Sequence, residues 1–160
     1  MLAPESLGQA TSSKGSENTK TMASIRKEIS TSASVDAVWD AIVDIGALHT
    51  RLVPGFVVDT RLEPGARIVT FANGLVVREL IVTIDRDAKR LVWSTISERL
   101  THHNGSVQAF ADAKGQTRVV WIADLLPDEA VGRIGLMMEQ GMGAMKTALD
   151  GLAEKAKAGK

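Results

Sequence analysis

The links between strand-like runs constrain this chain most. From Phe56 to Leu126 the sequence reads as six such runs: Phe56–Leu62, Ala66–Phe71, Val76–Asp85, Leu91–Ser97, Gly105–Ala111 and Gln116–Leu126. Between most of them stand only short turn signals, Glu63-Pro-Gly, Asn73-Gly, Asp85-Arg-Asp-Ala-Lys and Asp112-Ala-Lys-Gly. A parallel crossover needs about a dozen residues or more, so these neighbours pair antiparallel. One further strand, Ile25–Ser30, precedes them.

Two other stretches are helical. Ser34 to Asp44 (SVDAVWDAIVD) starts on a natural N-cap and places Val35, Val38, Trp39 and Ile42 on one face. Gly46 can end that helix, and 47–51 makes another turn before Pro54-Gly55. After Pro127, apolar residues recur at Val131, Ile134, Met138, Met142, Met145, Leu149 and Leu152, in steps of three and four. The spacing predicts a long helix from Asp128, its cap, to about Lys157. Its face carries Met137, Met138, Met142 and Met145 and is interrupted by Gly132, Gly135, Gly141 and Gly143. Each interior glycine costs about 1 kcal/mol relative to Ala, so those retained are expected to mark close approach or room. The methionines either fill an irregular core or line an adaptable pocket.

All strands before one long amphipathic helix is an α+β order. One helix cannot cover seven strands lying flat, so the sheet is expected to curl around it. The chain has 160 residues, 19 basic against 19 acidic, and no cysteine. That balance argues against nucleic acid as a partner, and without cysteine no disulfide or thiolate site exists. No apolar run approaches the length of a membrane-spanning helix, and MLAPESLGQA lacks the pattern of a signal peptide. The expected location is cytoplasmic and the expected state a monomer or weak homodimer. Residues 1–22 are rich in Ser, Thr, Gly, Lys and Glu and read as a disordered tail, with 23–157 a single domain.

Taken together, the strand order, Ser34 to Asp44, the Pro54-Gly55 turn, Arg78-Glu-Leu, Val92-Trp-Ser and Thr117-Arg-Val-Val-Trp resemble the START/Bet v 1-like superfamily. Its polyketide cyclase/dehydrase-like (SRPBCC) proteins are the group this chain resembles over about 23–155. The resemblance implies a helix-grip fold: a seven-stranded curved antiparallel sheet wrapped around the C-terminal helix, two short helices between strands 1 and 2, and an apolar cavity. It further implies binding of a small hydrophobic molecule such as a lipid, polyketide or aromatic metabolite. The alternative it implies is a cyclase/dehydratase-type enzyme.

Candidate pocket residues follow from strand alternation, which sends every second side chain inward. In Val76–Asp85 the even positions are apolar apart from Arg78, while the odd set holds Val77, Glu79, Ile81 and Thr83. Periodicity favours the even face as buried; the resemblance favours Glu79 in the cavity, where a carboxylate suits acid–base work. His102-His103-Asn104 is the densest polar cluster, and His103, Asn104 and Gln108 are candidates for the lining. Adjacent strand histidines diverge and no HxH or HExxH occurs, so no metal and no cofactor are expected. Trp93 and Trp121 either wall the cavity or pack in the core, and Trp39 belongs to the core. The predicted pocket is Glu79, Trp93, His103, Asn104, Gln108, Trp121, Met138, Met142 and Met145, with Glu79 and His103 the catalytic pair if there is one.

Overall fold

In the computed structural model, which describes residues 22–159, seven strands form one sheet with order β1-β7-β6-β5-β4-β3-β2, every pair antiparallel. They are β1 (Ala23–Thr31), β2 (Val57–Glu63), β3 (Ala66–Phe71), β4 (Val76–Asp85), β5 (Arg90–Ile96), β6 (His102–Ala111) and β7 (Thr117–Leu126). The tail expected over 1–22 lies, apart from Met22, outside the described residues.

Helix α1 (Val35–Val43) is capped as its sequence predicts, with the Ser34 hydroxyl accepting from the amide of Ala37 at 3.2 Å. It buries Val38, Trp39 and Ile42. A short 3-10 turn (Ile45–Ala47) runs into a wider π-helical turn (Leu48–Leu52), closed by the Val53 amide donating to the Leu48 carbonyl at 2.9 Å. Leu48 and Leu52 thereby enter the core.

The long helix, α2 (Val131–Ala158), starts later than expected. Asp128–Ala130 is a separate 3-10 turn, and no side chain caps either start, so Asp128 is not the cap its position suggested. The buried stripe of α2 is Ile134, Met138, Gly141, Met142, Met145, Leu149 and Ala153. Its later half is fastened to β1: Thr31 donates to Asp150 at 2.8 Å, and Lys146 donates to the Ser30 carbonyl at 2.8 Å. Thr117 is fully buried because its hydroxyl donates to the Ala33 carbonyl at 2.6 Å, tying the β1–α1 link to β7.

The core has two parts. The larger joins α1, the Leu48–Leu52 turn and the sheet to Met142, Met145 and Leu149 of α2. The smaller packs Ile134 and Met138 onto Ile25, Ala123 and Leu125. Fully buried side chains of this size contribute about 1.5–3 kcal/mol each.

Alternation in β4 carries one irregularity. Ile81 pairs with Trp93 but Thr83 pairs with Val92, so Val82 is bulged out and 56% exposed. Up to Ile81 the odd residues face the core; beyond the bulge the parity changes and Ile84 faces it. The even face that periodicity favoured is therefore outside at Arg78, which pairs with Glu63 at 3.0 Å, and Glu79 points inward.

Candidate functional site

The concave face of the sheet carries a row of polar side chains where its neighbours are apolar. Cross-strand register sets Arg67 of β3 opposite Glu79 of β4, and Glu79 opposite Thr95 of β5. Ser94 pairs with Asn104, so one step along the same register brings Thr95 beside His103 of β6. Arg67 and Glu79 form an ion pair, Nε to Oε1, at 2.8 Å, with side chains only 3% and 8% exposed. The guanidinium also donates to the Ile45 carbonyl at 3.3 Å and lies 5.6 Å from the centroid of Trp93. Its charge thus meets a carboxylate, a carbonyl and an aromatic face.

Thr95 and His103 differ from that pair. Thr95 Oγ1 and His103 Nδ1 are buried and have no hydrogen-bond partner among the described residues. Both line an open cavity of about 610 Å³ between the sheet and the first half of α2. Its mouth lies among the Asn73-Gly74 turn, the Ser97–Leu100 connection and the Arg133–Gln140 face of α2, and Phe71, Leu75, Val77 and Met137 make its wall mainly apolar. Phe71 and Glu79 also border an inner space of about 50 Å³, lined as well by Trp93, Trp121 and Met145. The rings of Trp93 and Trp121 are 6.4 Å apart and tilted by 52°. Trp121 Nε1 is likewise buried without a partner among the described residues.

The expected pocket residues divide accordingly. Glu79 and His103 border the outer cavity; Trp93, Trp121 and Met145, with Glu79, border the inner space. Asn104 and Gln108 lie elsewhere: β6 begins at His102, so parity puts His103, Gly105, Val107 and Ala109 inside and sends Asn104 and Gln108 to the outer face. There Gln108 donates to the Ala88 carbonyl at 3.0 Å. Met138 and Met142 pack in the core against the β1 side of the sheet, off the cavity. The residues of α2 that do meet the cavity are Arg133, Leu136, Met137 and Gln140 of the adjacent stripe, together with Ile134 at the edge of the buried one. The predicted pocket left out Arg67, and it left out Met137 although that residue was read as part of the methionine-rich helix face. Arg67 had a signal: it shares parity with Val69 and Phe71, a charge on an apolar face, and falls opposite Glu79 once the chain folds back at Asn73-Gly74.

Glu79, held by Arg67, and His103 are the two titratable candidates of the predicted set. Burial, and secondly the charge of His102, push the His103 imidazole below its ordinary 6.5. The folded protein therefore resists a proton that the unfolded chain accepts. The stability this contributes is complete above about pH 6.5 and is lost as pH falls through the lower folded value. We expect the unfolding midpoint of the wild type to drop more steeply between about pH 7 and 5 than that of His103→Gln, read by thermal denaturation across pH. Coincident profiles would disprove the assignment. Among the described residues no three His, Asp or Glu side chains gather as a metal set.

Residues 22–157 match the family model described as polyketide cyclase / dehydrase and lipid transport, and the chain belongs to that family. No curated protein matches the sequence. Among solved structures the chain is similar to the protein XoxI of Bacillus cereus, with TM-score 0.72 and 17% identity over 80% of this chain and 96% of that one. It is similar to a norcoclaurine synthase point mutant of Thalictrum flavum bound to a transition-state analogue, with TM-score 0.66 and 20% identity over 85% and 96%. A START superfamily protein of Mycobacterium smegmatis matches with TM-score 0.63 and 11% identity over 83% and 98%. At these identities the likeness establishes the fold, which is START/Bet v 1-like. Among the described residues no helix is long and apolar enough to cross a membrane.

Proposed function

We propose that residues 23–157 form one binding unit, a monomer or weak homodimer, that takes a small, mainly hydrophobic molecule into the cavity between the sheet and α2. The observation that carries this reading is the cavity of about 610 Å³, apolar along its wall and lined also by Thr95 and His103, each of which carries a buried polar atom, Oγ1 and Nδ1, without a partner among the described residues. Its volume is that of an ordinary ligand site. Unpartnered buried polar atoms are costly, and a small side-chain rotation towards a ligand hydroxyl or carbonyl would relieve that cost. The family's own description, cyclase, dehydrase and lipid transport, is compatible with a binder and with an enzyme. Catalysis needs at least two groups free to converge on a reacting atom. Glu79 is engaged by Arg67 at 2.8 Å, which leaves His103 alone and favours binding over chemistry.

Native mass spectrometry of the purified protein, with titration by the neutral dye N-phenylnaphthylamine, tests the reading. Dye fluorescence is expected to rise with a saturable, single-site curve. Met137→Trp, which fills the mouth from α2, is expected to weaken binding about tenfold, equivalent to ~1.4 kcal/mol of lost contact. A bare mass together with no saturable uptake by the wild type would remove the basis of the proposal.

A further inference from the structure

We infer that the ligand carries an anionic end, held at the mouth of the cavity by Arg99 and Arg133; this rests on the cavity reading above. Three observations lead to it. First, the charged groups lining the cavity are one acid, Glu79, and two bases, Arg99 and Arg133. Second, the acid is already neutralised, because Glu79 is paired with buried Arg67 behind the cavity wall. His103 adds no positive charge at neutral pH, since burial lowers its proton affinity. Third, Arg99 and Arg133, like Arg61, Arg86 and Arg90 away from the cavity, have no ion-pair partner within 4.0 Å among the described residues, so no protein carboxylate competes for them at the mouth.

The two arginines come from separate elements, Arg99 from the β5–β6 connection and Arg133 from the first turn of α2. Both are exposed, so their charges stay hydrated while the cavity is empty. Beside them lies the apolar wall of Leu75, Val77, Ile134 and Met137. A molecule with an apolar body and a carboxylate or phosphate head would lay its body against that wall and leave its head at the rim that both arginines line. Guanidinium forks suit either planar carboxylate or phosphate oxygens. The reverse orientation would bring the anion towards the Glu79 carboxylate. A neutral ligand of the same shape would gain the wall and forgo the rim.

Displacement of bound N-phenylnaphthylamine separates this inference from the reading beneath it. The competitors are dodecanoate, methyl dodecanoate and dodecyl phosphate, with wild type, Arg99→Gln, Arg133→Gln and the double variant. The wild type is expected to bind both anions roughly tenfold more tightly than the ester, with the advantage shrinking as salt is raised. The double variant is expected to lose that advantage while keeping its affinity for the ester and the dye. A preference for phosphate over carboxylate points to a phospholipid-type head, and the opposite preference to a free acid; either supports the inference. If acid, phosphate and ester bind alike, or if the double variant retains the preference, the inference fails while the cavity reading stands. If dye and all three competitors fail to bind the wild type, both fail.

Discussion

Replacing Glu79 by Ala is expected to lower the unfolding free energy by about 3–5 kcal/mol, and Arg67→Ala by a similar amount. The side chains are 3% and 8% exposed and joined at 2.8 Å. Removing either leaves the other charged inside the protein with little water to receive it. Arg67 would retain the Ile45 carbonyl at 3.3 Å and the face of Trp93 at 5.6 Å, so Glu79→Ala is expected to fall at the lower end of that range. A whole domain of this kind is stable by only about 5–15 kcal/mol, so either single change consumes a large share. The double change Arg67→Met with Glu79→Leu should behave differently. It removes both charges and their desolvation together, and is expected to restore stability to within about 1 kcal/mol of wild type or above it. Urea denaturation at constant slope measures all three. Single variants that lose less than about 1 kcal/mol would show that water reaches the pair. A double variant as unstable as the worse single would show that the pair attracts by more than its desolvation costs. In the expected case the pair is kept for the shape of the cavity floor and not for stability. It also keeps Glu79, which borders the cavity, paired and not free as a base, in keeping with the binding role proposed above.

The fold was legible in the sequence because its links are short. Asn73-Gly, Glu63-Pro-Gly and Asp112-Ala-Lys-Gly leave antiparallel pairing as the only geometry available, and the strands found follow those runs closely. The helix stripe was legible for the same reason: Met138, Met142 and Met145 are each less than 5% exposed, at the spacing that the sequence displays. The site was less legible, and the failures are local. One bulged residue, Val82, reverses parity within β4, so counting apolar positions along the whole strand pointed to the wrong face for Glu79. The resemblance, which knows nothing of the bulge, pointed to the right one. At β6 the strand starts at His102, three residues before the expected Gly105. That extension sets His103 inside and Asn104 outside, which polarity alone could not decide. On α2 the apolar stripe identified what touches the sheet, but a cavity lies beside a packed stripe. Met137, one residue from Met138, borders it.

Glycine to alanine substitutions at four positions are expected to change stability in opposite directions, according to what stands over each. Gly105 in β6 pairs directly with Trp93 of β5, and a Cβ there would overlap the indole ring carbons of Trp93. Trp93 has nowhere simple to go: it packs beside Arg67 on one side and Trp121 on the other. Trp121 in turn lies against Gly141 of α2, where a Cβ would sit 2.8 Å from its ring and 3.0 Å from Phe56. The two tryptophans thus occupy the space between sheet and helix that these two glycines leave open. Gly105→Ala is expected to cost about 1–3 kcal/mol by overpacking. Gly141→Ala gains about 1 kcal/mol of helix propensity against its clash, so its net loss is expected to be smaller. Gly143 and Gly151 face open space, and their replacement by Ala should stabilise by up to about 1 kcal/mol. The coupling test pairs Gly105→Ala with Trp93→Phe, whose smaller ring makes room. The double variant is expected to recover at least about 1 kcal/mol relative to the sum of the single losses, read as a double-mutant cycle in urea. Additive losses would mean that Trp93 does not rest on Gly105, and the inner space would have to be drawn with that indole elsewhere. Coupled losses would make Gly105 the residue that lets the aromatic wall stand flush with the sheet beside the small space that Glu79 borders.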